Sequence, residues 1–298
     1  MKPFVTSSRL APSMRSMARC APWFALALSG ALGAAACEPD TGGELIEFEL
    51  SLGGPQADDD GRARFVTTTG WTVELDEALA AVGPVYVQAN PPALASLFSA
   101  PGDERALPLR LLVPLAHAHP GASHYDGGEA KGEWLGQVLV DALAPSPSLR
   151  VTVPGTAGDV ASLEVHLLPP RAGLAGRERL GEDQLRASGQ AEKDGVVVRF
   201  AGGLRLPAEA QQRIVQGVPL AGALDEGCAL SVEIDPAAWF DEANFDTLLD
   251  APTDERGRHL VTAGSQVERA WFIGARSLSQ GGAAPTAFRA SIRSEAGR

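Results

Sequence analysis

Hydrophobic and polar residues alternate along much of this chain with a period of two. ELIEFELSL (44–52) places Leu45, Glu47 and Glu49 on one side and Ile46, Phe48 and Leu50 on the other. This is the signature of a strand with one buried face. CALSVEIDPAAWF repeats it, with Leu230, Val232 and Ile234 sharing a face before a Pro turn. Phe65 to Thr69, Trp71 to Leu75 and Val85 to Val87 are β-rich in composition. LRVTV and ASLEVHLLPP read as strands flanking the turn PGTAGD, with His166 half-buried and satisfied in mid-strand. GVVVRFAGGLRL predicts a strand with a bulge at Gly202-Gly203. Gln266 to Ile273 and Phe288 to Ile292 are expected to supply the closing strands.

Helical pattern is sparse. DEALAAV (76–82) suggests a helical turn, ALASLFS a short helix and DEANFDTLLD a short helix or turn. PAEAQQRIVQGVPL fits either strand or helix. The 171–195 stretch, RAGLAGRERLGEDQLRASGQAEKDG, is polar and poorly patterned, and reads as a long loop or hinge where a subdomain boundary would fall. About ten short strands separated by Gly/Pro turns predict an all-β fold, an antiparallel β-sandwich or jelly-roll-like domain with short helices and long loops. There is no βαβ rhythm, no GxGxxG, no P-loop and no fixed-period repeat.

The N-terminus departs from this pattern. Residues 1–36 carry Lys2, Arg9, Arg15 and Arg19 and no acid, and end in a small-residue apolar run, APWFALALSGALGAAAC. This predicts an export signal rather than a membrane span. Two cleavages fit: an A-x-A-type cut that releases a soluble protein, or a lipobox-like LGAAAC in which Cys37 is lipidated and becomes the first residue. Residues 37–43 then form a tether and 44–298 the domain. An exported protein can pair Cys37 with Cys228, whereas lipidation of Cys37 leaves Cys228 as a small buried hydrophobe.

Composition narrows the partners. The 298-residue chain carries a net charge of −12, which becomes −16 once the four basic residues of the signal are gone. That acidity argues against nucleic acid or anionic lipid as partners held by bulk electrostatics. The membrane contact expected is a lipid on Cys37, and the compartment the periplasm or outer membrane, where an envelope protein is a further expected partner.

The candidate chemistry lies in LAHAHPGASHYDGGEAKGEW (115–134). It holds His117, His119 and His124, three of the chain's five histidines. In extended backbone His117 and His119 project from one face, and Pro120-Gly121 turns the chain so that His124 folds back toward them. Three imidazoles suit copper or zinc; Tyr125, Asp126, Glu129 and Glu133 are possible extra ligands or the carboxylates that orient the rings. The alternative is a polar loop whose histidines bond to neighbours. Asp235, Asp241, Asn244 and Asp246 form a weaker, calcium-like constellation, explained equally by a strand-exit turn and a helix cap. Asp58-Asp59-Asp60-Gly61 reads as a solvated hairpin tip. No HExxH, GxSxG or other catalytic signature is present.

HAHPGASHYDGGEAKGEWLGQ, the VDAL segment and GTAGDVASLEVHLLPP together resemble uncharacterised exported proteins of Gram-negative bacteria. More loosely they resemble the copper-binding lipoproteins encoded beside methanobactin genes, to which SVEIDPAAWFDEANFDTLL is also similar. The resemblance implies a periplasm-facing β-rich domain that binds copper, and assigns no particular ligand here. Three functions follow as expectations. The first is a non-enzymatic copper- or zinc-binding protein of the envelope. The second is a structural or adhesion β-sandwich lipoprotein without metal. The third is a metal-dependent hydrolase.

Overall fold

The computed structural model describes residues 44–55, 63–90, 130–278 and 285–294. In chain order the strands are β1 (Leu45–Gly53), β2 (Ala63–Val66), β3 (Thr72–Val82), β4 (Val85–Gln88), β5 (Ala130–Trp134), β6 (Val138–Asp141), β7 (Leu149–Thr156) and β8 (Gly158–His166). A one-turn helix α1 (Arg177–Leu180) precedes β9 (Leu185–Lys193) and β10 (Val196–Leu204), and a 3₁₀ turn, Ala210–Arg213, leads into β11 (Ile214–Leu224). Next come β12 (Ala229–Ile234), β13 (His259–Leu260), helix α2 (Gln266–Gly274) and β14 (Phe288–Arg293). Thr41 to Arg298 form one compact unit. Among the described residues no helix is long and apolar enough to cross a membrane.

The architecture is all-β, two sheets packed as a sandwich that approaches a barrel. The larger sheet has the order β11-β8-β4-β5-β7-β1-β12-β14. Every pairing in it is antiparallel except β1 with β12. It curls until its edge strands β11 and β14 lie against each other, with Ile292 packed beside Gly222. The second sheet runs β13-β10-β9-β3-β2, with β6 also paired to β3. Between the sheets, Phe48, Leu50, Leu163, Val165, Leu230 and Val232 face Val73, Leu75, Val198 and Phe200 in one buried core. An aromatic cluster closes one end: Phe200 and Phe245 rings are 4.8 Å apart, and Phe240 and Trp271 rings 5.0 Å. At the single β5–β7 pair, Gly132 faces Gly155 because the Phe48 ring fills the space; a Cβ on either would come within 3 Å of Cε1 of that ring.

β1 and β12 follow their alternation, with Ile46, Phe48 and Leu50, and Leu230, Val232 and Ile234, all buried. Four local expectations are corrected. DEALAAV is not a helical turn but the second half of β3, paired to β6 and β9. Its alternation is lost because both faces are buried: Ala78, Ala80 and Val82 enter the main core, while Leu79 and Ala81 pack with Leu180 of α1. The 171–195 stretch is loop only in its first part: residues 171–184 are turns around α1, but Leu185–Lys193 is β9 in the middle of the second sheet, and its inward positions after Leu185 are small, Ala187 and Ala191, which is why it reads as polar. Gln266 to Ile273 is helix rather than strand. Ser265 Oγ accepts from Glu268 N–H and Glu268 Oε2 accepts from Gly264 N–H, a capping arrangement that starts the helix. Finally, Gly202-Gly203 is not a bulge, since β10 stays in register with β9 through both; Gly202 instead makes room for Val261.

Candidate functional site

The histidine segment connects two neighbouring strands. The chain leaves β4 after Gln88 and returns at Ala130 of β5, and Gln88 and Ala130 are paired across the sheet. His117, His119, His124, Tyr125, Asp126 and Glu129 lie outside the described residues, as do Cys37 and Asp58-Asp59-Asp60. Glu133 is described, and stands exposed on β5 opposite Tyr86.

At the base of this connection the outward face of the larger sheet carries a polar row. Register places Glu133, Tyr86, Glu164 and Gln216 side by side on β5, β4, β8 and β11. Period-two alternation adds His166 and Ser162 on β8 and Gln88 on β4 to the same face. Val85, Val87, Leu163 and Val165 point the other way, into the core. An outward row would ordinarily be solvated, yet Glu164 is 0% exposed, Ser162 1% and Gln88 2%.

Burial of a carboxylate demands partners. His166 Nε2 lies 2.6 Å from Glu164 Oε1, and Gln216 Nε2 donates to Glu164 Oε2 at 3.2 Å. Tyr86 tilts against the His166 ring at 5.4 Å between centroids. Burial raises the Tyr86 phenol above its ordinary value, the carboxylates of Glu133 and Glu164 raise it further, and Arg171 opposes them. Ser162 Oγ donates to the carbonyl of Asn90, pinning the departure of the connection to β8. Gln88 Oε1 is buried and has no hydrogen-bond partner among the described residues. The row therefore offers one exposed carboxylate, Glu133, an imidazole oriented by a buried carboxylate, and an unmet acceptor. Carboxylate-oriented imidazoles are the usual support of metal-binding histidines.

The calcium-like constellation is otherwise engaged. Asp235 Oδ2 accepts from Arg289 Nη2 at 2.7 Å, and its Oδ1 accepts from Ala237 N–H. Asn244 Oδ1 accepts from Trp71 Nε1 and from Asp246 N–H, capping a 3₁₀ turn at Phe245–Leu248. The backbone carbonyl of Asp241 takes both the N–H and the Oγ1–H of Thr68, while burial and the neighbouring Glu242 push the Asp241 carboxyl upward. Among the described residues, no three His, Cys, Asp or Glu side chains meet as a metal ion would require. Cys228 is free and fully buried, its thiol pushed up by that burial. Its backbone carbonyl receives Glu49 N–H beside the β1–β12 pairing.

The Glu164–His166 pair was within reach of the sequence. Residues i and i+2 of a strand share a face, so LEVHLL puts the acid beside the imidazole. The sequence does not show that this face is covered. No family model matches the chain, and neither does any curated protein or solved structure.

Proposed function

We propose that this is an exported, lipid-anchored, non-enzymatic metal-binding protein of the cell envelope, which holds copper or zinc through His117, His119 and His124. The observation that carries this reading is the concentration of three of five histidines within eight residues, as H-x-H-P-x-x-x-H. The setting supports it. Both ends of the connection bearing these histidines are held on adjacent strands, next to a row containing Glu133, the Glu164–His166 pair and the unpartnered Gln88 Oε1. The chain's net charge of −12 favours a cation, and neutral imidazoles select copper or zinc over calcium or magnesium. Glu133, nine residues after His124 in the sequence, is a carboxylate that could orient a ligand.

The test is elemental analysis of protein exported to the periplasm and purified without a His tag or chelator. About one equivalent of copper or zinc is expected, consistent with a single three-imidazole site. The His117/His119/His124 triple alanine variant is expected to retain the fold and lose the metal. Unchanged stoichiometry in the variant, or no uptake by the native protein on titration, moves the assignment to a β-sandwich scaffold lipoprotein. Cys37→Ser, followed by membrane fractionation, tests the anchor separately.

A further inference from the structure

We infer that a cleft beyond the C-terminal end of β8 binds a small oxyanion, a carboxylate or phosphate group, through Gln184 and Arg213. The cleft lies where the loops after β8 and β10 meet the approaches to β9 and β11. It encloses about 250 Å³ and is lined by Pro170, Arg177, Glu182, Gln184, Arg205 and Arg213.

Gln184 is 1% exposed, and its amide orientation is fixed by the backbone. Its Oε1 accepts from Leu206 N–H at 2.9 Å, so the other end of the amide must be the NH₂ group. That Nε2 is buried and has no hydrogen-bond partner. Arg213 repeats the situation. Its Nη2 donates to the Leu206 carbonyl at 3.3 Å, while its Nε is buried and unpartnered. Both side chains thus grip the same residue, Leu206, with one end, both belong to the lining of the cleft, and each has a buried donor left unused. A buried donor without a partner is costly, so native proteins carry few of them. Two in one cleft ask for an acceptor.

The remaining lining specifies which acceptor. Arg177 and Arg205 add two guanidinium groups in a chain whose net charge is −12. At the exposed mouth Arg205 already faces two carboxylates, Glu182 at 3.0 Å and Asp183 at 3.7 Å. Guanidinium N–H groups match the geometry of carboxylate and phosphate oxygens. The volume admits inorganic phosphate or a short carboxylic acid and is small for a nucleotide. This inference is independent of the metal site.

Isothermal titration of the full chain with inorganic phosphate, and separately with succinate, at constant ionic strength in chloride, tests it. Saturable binding of at least one anion is expected, and which one binds identifies the group. Gln184→Glu keeps the acceptor for Leu206 N–H and replaces the free donor with a second carboxylate oxygen. It is expected to weaken binding about tenfold or more, as is Arg213→Gln; Arg205→Ser, at the mouth, should weaken it less. If thermal melts in chloride show that Gln184→Glu does not fold, Arg213→Gln and Arg205→Ser decide the question. No saturable binding of either anion, or equal binding by wild type and the folded variants, overturns the assignment and leaves water as the partner of both donors.

Discussion

Two buried polar regions of this molecule solve the same problem in opposite ways. On the outward face of the larger sheet, the buried Glu164 carboxylate has both oxygens engaged, one by His166 and one by Gln216. In the cleft beside Leu206, Gln184 and Arg213 each use one end on the backbone and leave one donor unpaired. The row is acidic and its acceptors dominate; the cleft is rich in guanidinium groups and its donors dominate. The Glu164 network, whose members answer one another, is architecture, whereas the orphans, an acceptor at Gln88 in the row and two donors in the cleft, point to something outside the chain. The sign of the orphans gives the ligand's charge.

Breaking the row should have the larger effect on stability. Glu164→Ala removes the acceptor from both His166 and Gln216, and a cost of about 2–4 kcal/mol is expected from leaving them unpaired in a covered site. Urea denaturation measures it, and a loss within the range of an ordinary surface substitution would make the pairing incidental. Gln184→Leu comes next. It deletes the unused donor but also the acceptor of Leu206 N–H, and about 1–3 kcal/mol of lost stability is expected. Gln184→Glu should lose less in the same measurement, because it keeps that acceptor. The difference between the two variants separates the half of the glutamine that holds the fold from the half that faces the cleft. If both lose equally, the amide is wholly structural.

The fold was legible in the sequence where one face of an element meets water. β1 and β12 alternate because Glu47 and Glu49, or Ser231 and Glu233, lie opposite buried partners. It was not legible where both faces are covered. The second half of β3 is Ala78 to Val82, buried throughout, so period two disappears and a run of alanines imitates a helix. β9 misleads in the other sense, since after Leu185 its core positions are small, Ala187, Gly189 and Ala191, while Gln190 and Glu192 point to solvent, so little apolar signal is left. α2 was readable in principle. Ser265 and Glu268 form the S-x-x-E start of a helix, and Val267, Ala270 and Trp271 supply its buried side at helical spacing. The histidine segment suggests a chemistry through residue type alone, and its residues 117–129 lie outside the described ones. Gln184 and Arg213 carried no such signal, because their orphaned donors arise only when Leu206, 22 residues from one and 7 from the other, is folded between them.

The smallest effect is spectroscopic and reports on the charge of the row. Tyr86 is one of two tyrosines, so in a Tyr125→Phe background it alone gives the phenolate absorbance. Burial, and after it the Glu133 and Glu164 carboxylates, hold the phenol above its ordinary value. A phenol raised on folding contributes stability that is intact below its unfolded value and lost as pH rises through the folded one. The native protein should therefore show a delayed phenolate transition at alkaline pH and lose stability across that transition. Glu133→Gln removes the nearer exposed carboxylate and should bring the midpoint down, though not to the ordinary value, because burial is the first cause. A midpoint indifferent to Glu133→Gln would mean that solvent screens this carboxylate from the phenol. The acid-rich character of the row would then rest on Glu164 alone, a carboxylate already held by His166 and Gln216. The contrast in sign with the cleft would shrink to a contrast in hydrogen bonding.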